Sequence, residues 1–141
     1  MKGASIRRKC WSMRIEHIAF NVADPVKVAA WYVKHLGWQI KRKEEKPPFM
    51  HFIADSGGQV MLELYNHPAA AVPDYGAMNP LVLHLAVSCG PDLDAVRQRL
   101  LEAGATDAGG VIVTPLGDRL AMLRDPWGLA LQLCNRKTAM V

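Results

Sequence analysis

The chain of 141 residues has few cysteines, few aromatic residues and no long uninterrupted apolar run. Its three cysteines, Cys10, Cys89 and Cys134, have no spacing typical of a metal site, and their odd number disfavours a disulfide framework. No stretch approaches the roughly 18 apolar residues that a transmembrane helix needs, and the N-terminus lacks the apolar segment of a signal peptide. These absences predict a reduced, cytoplasmic protein without a membrane span.

The excess of positive charge is confined to the N-terminus. Residues 1–12 contain no acid and four bases, which account for the formal net charge of +4: Lys2, Arg7, Arg8 and Lys9. The rest of the chain has equal numbers of basic and acidic residues, and no basic stripe carries interleaved aromatic side chains. We therefore predict a poorly ordered basic tail at 1–12 and no nucleic-acid interface.

What the sequence does contain is an internal repeat. Each half has a histidine, a glycine 20 residues later, and an acid or amide 46 or 48 residues after the histidine: His17, Gly37 and Glu63, then His84, Gly104 and Gln132. In each half the histidine lies in a strand-like segment, the glycine ends a helix, and the acid or amide lies in the last strand.

Hydrophobic periodicity predicts the order βαβββ in both halves. The first half has predicted strands near 14–22, 38–43, 49–55 and 60–65, and a helix that begins at Asp24-Pro25 and ends at Gly37. The second half has predicted strands near 81–87, 111–114, 119–124 and 129–134, and a helix from Pro91-Asp92 to Gly104. The predicted domain spans 13–136, with module one at 13–66, a connector at 67–80, module two at 81–136 and a short tail at 137–141. The fold class is α+β, with the two modules forming a curved mixed β-sheet around a cleft.

The alternation of residues along four strands places one strong polar side chain on each mixed face: His17, Glu63, His84 and Gln132. In three of these strands the opposite face is wholly aliphatic. Burying such a polar group without a partner costs roughly 1–3 kcal/mol, so four of them favour a shared partner such as a metal ion. Each residue alone is also compatible with ordinary packing or a rim ion pair.

Two imidazoles, one carboxylate and one amide oxygen suit a divalent Mn, Fe, Co, Ni or Zn ion. Such an ion acts as a Lewis acid on a carbonyl or stabilises an enediolate, and the adjacent carboxylate of Glu63 can move a proton. Five further side chains are candidates to line the cleft: Met61, Tyr65, His51, Met122 and Cys134. For Cys134 the alternative is a small core residue.

Other basic residues have two interpretations each. Arg119 and Arg124 can bind an anionic substrate or belong to the surface. The run Lys41-Arg42-Lys43, beside Glu44-Glu45, is interpreted as a solvated loop face.

The chain resembles the vicinal oxygen chelate superfamily, which includes glyoxalase I, bleomycin-resistance proteins, extradiol dioxygenases and methylmalonyl-CoA epimerase. The resemblance covers about 13–136 and rests on IEHIAFNVADP, WYVKHLGW, VMLELY, LHLAV, LLEAGA and LRDPWGLALQL. These segments are specific for the fold and much less so for the reaction.

The resemblance implies ligand places on the first, fourth, fifth and eighth strands, which match His17, Glu63, His84 and Gln132 here. The departure is Gln132, because glyoxalase I and the dioxygenases usually carry glutamate at that place. An amide oxygen can coordinate a metal but takes no proton, so Glu63 is the candidate catalytic base.

The resemblance leaves several functions open. The first is a metal-dependent lyase or isomerase acting on a small substrate with adjacent oxygens. The second is a non-haem iron dioxygenase that uses His17, His84 and Glu63. The third is a non-catalytic protein that binds an antibiotic or metabolite. A thiol-transferring fosfomycin-type enzyme is a further alternative, although the sequence has no evident phosphonate-binding cluster. The resemblance also implies a homodimer, in which each site can draw ligands from both chains.

Overall fold

The computed structural model describes residues 12–141, so Cys10 and nearly all of the predicted basic tail lie outside the described residues. The strands are β1 (His17–Asn21), β2 (Gln39–Lys43), β3 (His51–Ala54), β4 (Met61–Tyr65), β5 (Leu85–Ser88), β6 (Thr106–Val113), β7 (Arg119–Arg124) and β8 (Ala130–Asn135). The helices are α1 (Pro25–Leu36) and α2 (Leu93–Glu102), the latter preceded by a 3₁₀ turn at Gly90–Asp92.

The strands form two four-stranded mixed sheets with the same topology. The first sheet has the order β1-β4-β3-β2 and the second has the order β5-β8-β7-β6. The first pair in each order, β1 with β4 and β5 with β8, is parallel. The other neighbouring pairs are antiparallel. The predicted α+β fold with two βαβββ units is therefore confirmed, although the strands form two sheets rather than one continuous sheet.

The first helix begins and ends where the sequence predicts. The Asp24 side chain accepts a 3.0 Å hydrogen bond from the backbone nitrogen of Lys27, and Pro25 occupies the first turn, where its missing N–H costs nothing. Gly37 ends the helix at φ 69°, a left-handed conformation that glycine adopts without a Cβ clash.

Strand β5 begins later than predicted. The sequence LVLHLAV predicts a strand at 81–87, but pairing with β8 starts only at Leu85. Asn79 forms a turn instead: its side chain accepts from the nitrogen of Leu81 at 2.9 Å, and its carbonyl accepts from the nitrogen of Val82. Because asparagine competes for nearby backbone groups in this way, the chain enters β5 after His84.

Strand β6 is longer than predicted, because it begins at Thr106 and not near 111. The segment Asp107–Gly110 carries a register shift opposite β7, with Gly109 and Gly110 at positive φ. The two glycines accommodate a bulge inside the strand.

One continuous core spans both halves. Leu62 and Leu64 of β4 and Leu131 and Leu133 of β8 are buried, with α1 lying against β3 and β4 and α2 against β7 and β8. The predicted aliphatic faces of β4 and β8 are thereby confirmed, because both pack towards the helices. The opposite faces of these strands are left for Glu63 and Gln132.

Specific hydrogen bonds join the two halves. Trp31 in α1 donates from Nε1 to the carbonyl of Ala103 at 2.9 Å, and Tyr32 donates its hydroxyl to Asp125 at 2.9 Å. Neither helix in residues 12–141 has the length and apolarity to cross a membrane.

Candidate functional site

The strand register shows which side chains share a face of the first sheet. His17 is paired with Met61, and Glu63 is flanked by Ala19 on β1 and by Phe52 on β3. Directly paired residues of neighbouring strands point to the same face. His17, Met61, Phe52 and Glu63 therefore lie together, on the face opposite to Leu62 and the helix.

The structure brings His17 and Glu63 into direct contact. The imidazole Nε2 of His17 lies 3.3 Å from Oε2 of Glu63, with 36% of the histidine side chain and 16% of the glutamate side chain exposed. The other ring nitrogen, Nδ1, lies 3.0 Å from Oε1 of Glu16. The imidazole edge also packs against the Phe52 ring, with the centroids 5.3 Å apart. The histidine is thus fixed in orientation, with Nε2 directed at the carboxylate.

His84 lies elsewhere, immediately before β5. Its side chain is exposed, and its Nδ1 lies 2.7 Å from the carbonyl oxygen of Pro80. The Asn79 turn holds that carbonyl in place, since both Leu81 and Val82 bond back to Asn79. A hydrogen bond from Nδ1 to a carbonyl leaves Nε2 as the nitrogen with a free lone pair.

Gln132 lies in the middle of β8, between Ala86 of β5 and Met122 of β7. The thiol of Cys134 donates to its Oε1 at 3.5 Å. Gln132 and Met122 line a cavity of about 340 Å³, together with residues of the Asn79 turn and of β6. This cavity is mostly apolar, and its lining contains the side-chain amides of Gln132 and Asn79.

Of the four predicted ligands, His17 and Glu63 are in contact on the first sheet and form the first half-site, whereas Gln132 lies on the second sheet and His84 immediately before β5. Within residues 12–141, no three His, Cys, Asp or Glu side chains lie close enough to hold one metal ion. The structure joins the first pair and does not bring His84 to it.

The predicted lining residues divide between the faces. Met61 and Tyr65 share the face of Glu63, and Met122 shares that of Gln132. His51 is paired with Leu64, so it lies on the helix-facing side, buried, with Nδ1 2.7 Å from the carbonyl of Phe49.

Cys134 lies on the Gln132 face and is nevertheless buried. Burial raises the pKa of its thiol, with a smaller opposing effect of Arg136. A buried thiol with a raised pKa is a poor nucleophile, so the environment of Cys134 is that of a packing residue.

A larger cleft separates the edge strands of the two sheets. It has a volume of about 430 Å³ and is lined by β1 and β4 on one side, including Ile18 and Leu62, and by the whole of β5 on the other. Both β1 and β5 are edge strands, and unpaired strand edges are ready to accept another strand or segment.

The sequence interpretation missed two residues near the first half-site. Lys41 and Arg42 lie in β2, in agreement with the strand predicted near 38–43, and are exposed, but they also line a cavity of about 170 Å³ with Glu16, Phe52 and Met61. The alternation of β2 alone does not predict both on one side, because consecutive strand residues normally point to opposite faces.

The two arginines considered for substrate binding have protein partners. Arg119 forms a bidentate pair with Asp94 at 2.8 and 2.9 Å. Arg124 donates to the backbone carbonyls of Tyr75, Met78 and Gly128. Both guanidinium groups therefore serve the packing of the second module and of the connector.

Comparison with known proteins supports the fold and identifies the family. The chain is similar to TnmS3, an antibiotic binding protein from Streptomyces sp. CB03234, with 24% identity, a TM-score of 0.68, and 89% of this chain and 98% of that chain covered. It is similar to a superfamily member from Sphaerobacter thermophilus DSM 20745, with 20% identity, a TM-score of 0.69, and the same coverage of 89% and 98%.

A glyoxalase/bleomycin resistance protein from Streptomyces sp. CB03234 is 26% identical, with a TM-score of 0.62 and coverage of 87% of this chain and 100% of that chain. No curated protein matches the sequence significantly. The family model for the Glyoxalase/Bleomycin resistance protein/Dioxygenase superfamily matches residues 14–133. The chain belongs to that superfamily.

Proposed function

We propose that this protein binds one divalent metal ion per site, Ni, Zn, Co, Fe or Mn, and acts as a lyase or isomerase on a small substrate with two adjacent oxygens. The observation that carries the proposal is the contact of His17 Nε2 with Glu63 Oε2 at 3.3 Å. Ligand atoms at about 2.1 Å from one ion lie roughly 3.0–3.4 Å apart in octahedral or tetrahedral geometry. The pair has the spacing of two neighbouring ligands.

The surroundings of both histidines support the same assignment. Histidine ligands generally donate their second ring N–H to a carboxylate or backbone carbonyl, which fixes the ring and frees the other nitrogen. The Nδ1 of His17 is held by Glu16 at 3.0 Å, and that of His84 by the Pro80 carbonyl at 2.7 Å. Each Nε2 is thereby available as a ligand.

We infer that a second copy of the chain completes each site. His17 and Glu63 fit a divalent ion, but within residues 12–141 no third His, Cys, Asp or Glu joins them. A homodimer supplies His84 and Gln132 of one copy to His17 and Glu63 of the other. An isologous arrangement of this kind generates two equal sites per dimer.

In the proposed reaction, the ion supplies Lewis acidity to a substrate that chelates it through adjacent oxygens. Glu63 is the group that moves the proton, since its carboxylate is only 16% exposed and Gln132 at the symmetric place takes none. His17 and Phe52 restrict water at the carboxylate, because both pack beside it.

The first test is the metal content of purified protein, measured by elemental mass spectrometry. We expect a stoichiometric divalent ion that is lost in the His17→Ala, His84→Ala double variant. Iron in the protein would favour the dioxygenase alternative, and nickel or zinc the lyase or isomerase. Absence of metal after reconstitution in both proteins would overturn the proposal.

Subunit complementation tests whether two copies share each site. A His17→Ala, Glu63→Ala chain and a His84→Ala, Gln132→Ala chain each lose both sites as homodimers. Co-refolding equal amounts restores one intact site per heterodimer, roughly a quarter of all sites under random pairing. If each site were built within one chain, mixing would restore none.

The alternative is a protein that binds an antibiotic or metabolite without catalysis. Its support is the cavity of about 340 Å³ beside Gln132, since a mostly apolar cavity with few polar groups is typical of small-molecule sites. One structural neighbour is described as an antibiotic binding protein. Ligand binding that persists in the His17→Ala, His84→Ala variant would favour this alternative.

A further inference from the structure

We propose that Lys41 and Arg42 form a subsite for an anionic group of the ligand, a carboxylate or a phosphate, beside His17 and Glu63. This subsite deepens the proposed function and rests on it for the roles of His17 and Glu63. It identifies the substrate class as one that carries a negative charge in addition to its two adjacent oxygens.

The local geometry of β2 creates the subsite. Ile40 is paired with Ile53 and Arg42 with Phe52, so Lys41 is an additional residue between two consecutive pairs. Such a bulge re-aims a side chain that alternation would otherwise place on the opposite face. Lys41 and Arg42 consequently line the same cavity of about 170 Å³.

The cavity adjoins the His17 half-site through two shared residues. Phe52 lines it and also contacts the His17 ring, and Met61 lines it while being the register partner of His17. Arg42, Phe52 and Glu63 form one row across three strands. Strands β2 and β4 are therefore about 10 Å apart, a span that an arginine side chain and a small substrate can bridge.

The charges in the cavity favour an anion. Lys41 donates to the neutral amide oxygen of Gln39 at 3.1 Å and forms no ion pair with another residue of the described range 12–141. Arg42 has no ion-pair partner within residues 12–141. The cavity also contains Glu16, whose Oε1 is engaged by His17 at 3.0 Å. Two cations therefore face one carboxylate, so the charged side chains of the lining carry a net positive charge.

The neighbouring Lys43 provides a contrast within the same strand. Its ammonium pairs with Glu45 at 2.7 Å, and it does not line the cavity. A guanidinium binds planar carboxylate or phosphate oxygens through two parallel N–H groups, and an adjacent ammonium adds a point charge. Lys41 and Arg42 together match that recognition.

The test is a titration of chelator-treated protein with inorganic phosphate and, separately, acetate, followed by NMR chemical shifts of the amides. We expect binding of at least one anion, with the largest shifts in 39–43, 52 and 61. The Lys41→Gln, Arg42→Gln double variant should weaken it by about tenfold or more, because two charge-assisted contacts are lost. The tighter of the two anions identifies the oxyanion class.

Lys43→Gln is the control, since it removes one positive charge from the same exposed strand at a residue that does not line the cavity. We expect less than about a twofold change, from general screening alone. Equal weakening by Lys43→Gln, or no weakening in the double variant, would overturn the subsite. So would a lack of binding in the wild-type protein at roughly 50 mM anion, far above the affinities of functional small-molecule sites.

Metal content separates this proposal from the proposed function. The Lys41→Gln, Arg42→Gln variant should retain the wild-type metal stoichiometry, because neither side chain is a proposed ligand. Anion binding without metal binding would support the subsite and contradict the metal-dependent activity. Metal binding without anion binding would support the metal site and contradict the anion subsite. Circular dichroism checks that the variants are folded.

Discussion

The hydroxyl of Tyr32 in α1 donates a 2.9 Å hydrogen bond to Oδ2 of Asp125, at the turn before β8, and so joins the two halves of the molecule. The other carboxylate oxygen, Oδ1, accepts from the backbone nitrogens of Trp127 and Leu129 at 2.9 and 3.0 Å. Burial raises the pKa of Asp125, although these three hydrogen bonds oppose the rise. The junction therefore contains a carboxyl group whose ionisation is costly.

The raised pKa of Asp125 makes a prediction about pH. The folded protein holds this proton more tightly than the unfolded chain, whose ordinary pKa is 3.8. The resulting stabilisation is complete below pH 3.8 and is lost as the pH rises through the folded pKa. Asp125→Asn does not titrate, so we expect the variant to gain stability relative to the wild type over that rise in pH. Urea unfolding at a series of pH values measures the difference.

Asp118→Asn is a control of opposite sign. The backbone nitrogen of Lys137 and the guanidinium of Arg136 lower the pKa of Asp118. Its stabilisation is present above the unfolded pKa and is lost as the pH falls through the folded one. The free energy of unfolding of the wild type should therefore increase relative to that of Asp118→Asn as the pH rises. A pH-independent difference for Asp125→Asn would contradict the assigned shift.

Glu63→Gln should weaken metal binding by at least about tenfold, because the substitution keeps the shape of the side chain and removes its charge. Isothermal titration calorimetry with the metal found in the purified protein gives the affinity. Glu102→Gln, on the exposed side of α2, is the charge-matched control and should leave the affinity unchanged. Unaltered binding in Glu63→Gln would remove Glu63 from the ligand set.

Gln132→Glu should tighten metal binding by about tenfold, since a carboxylate replaces a neutral oxygen at a partly buried position. Gln98→Glu adds the same charge on the exposed face of α2 and serves for comparison in the same calorimetric experiment. If Gln132 lies away from the ion, the two variants will behave alike.

Gly128→Ala should destabilise the protein by more than about 2 kcal/mol beyond the destabilisation caused by Gly37→Ala. A Cβ at Gly128 would lie 2.6 Å from the nitrogen of Gly76 and 2.8 Å from its Cα, at φ 95°. Gly37→Ala is the matched control, because Gly37 has φ 69° but no atom within 4 Å of the added Cβ. That substitution should cost only about 1–2 kcal/mol. Thermal unfolding distinguishes them, and equal costs would mean that the connector is not held against Gly128.

Local signals in the sequence predicted much of the fold. The pair Asp24-Pro25 and the residue Gly37 located both ends of α1, because a cap and a left-handed position depend on only a few neighbouring residues. The alternation in VMLELY and LALQLC correctly placed Glu63 and Gln132 opposite the buried leucines. Period-2 patterning is likewise a property of the strand itself.

Predictions that depended on competition between local interactions were less accurate. LVLHLAV has the composition of a strand, yet the side chain of Asn79 forms a turn that delays β5 until Leu85. His51 was a candidate to line the cleft, but its register with Leu64 places it on the helix side. The register of one strand against another depends on residues far apart in sequence.

The sequence by itself determined the two βαβββ units, the buried aliphatic faces and the strands that carry His17, Glu63 and Gln132. These features follow from periodicity and capping, which act over a few residues. Only the tertiary structure decided that His17 meets Glu63 at 3.3 Å, that His84 stands apart, and that a bulge turns Lys41 towards the cavity beside them. Those outcomes depend on strand register and on the packing of one half against the other, which join residues distant along the chain.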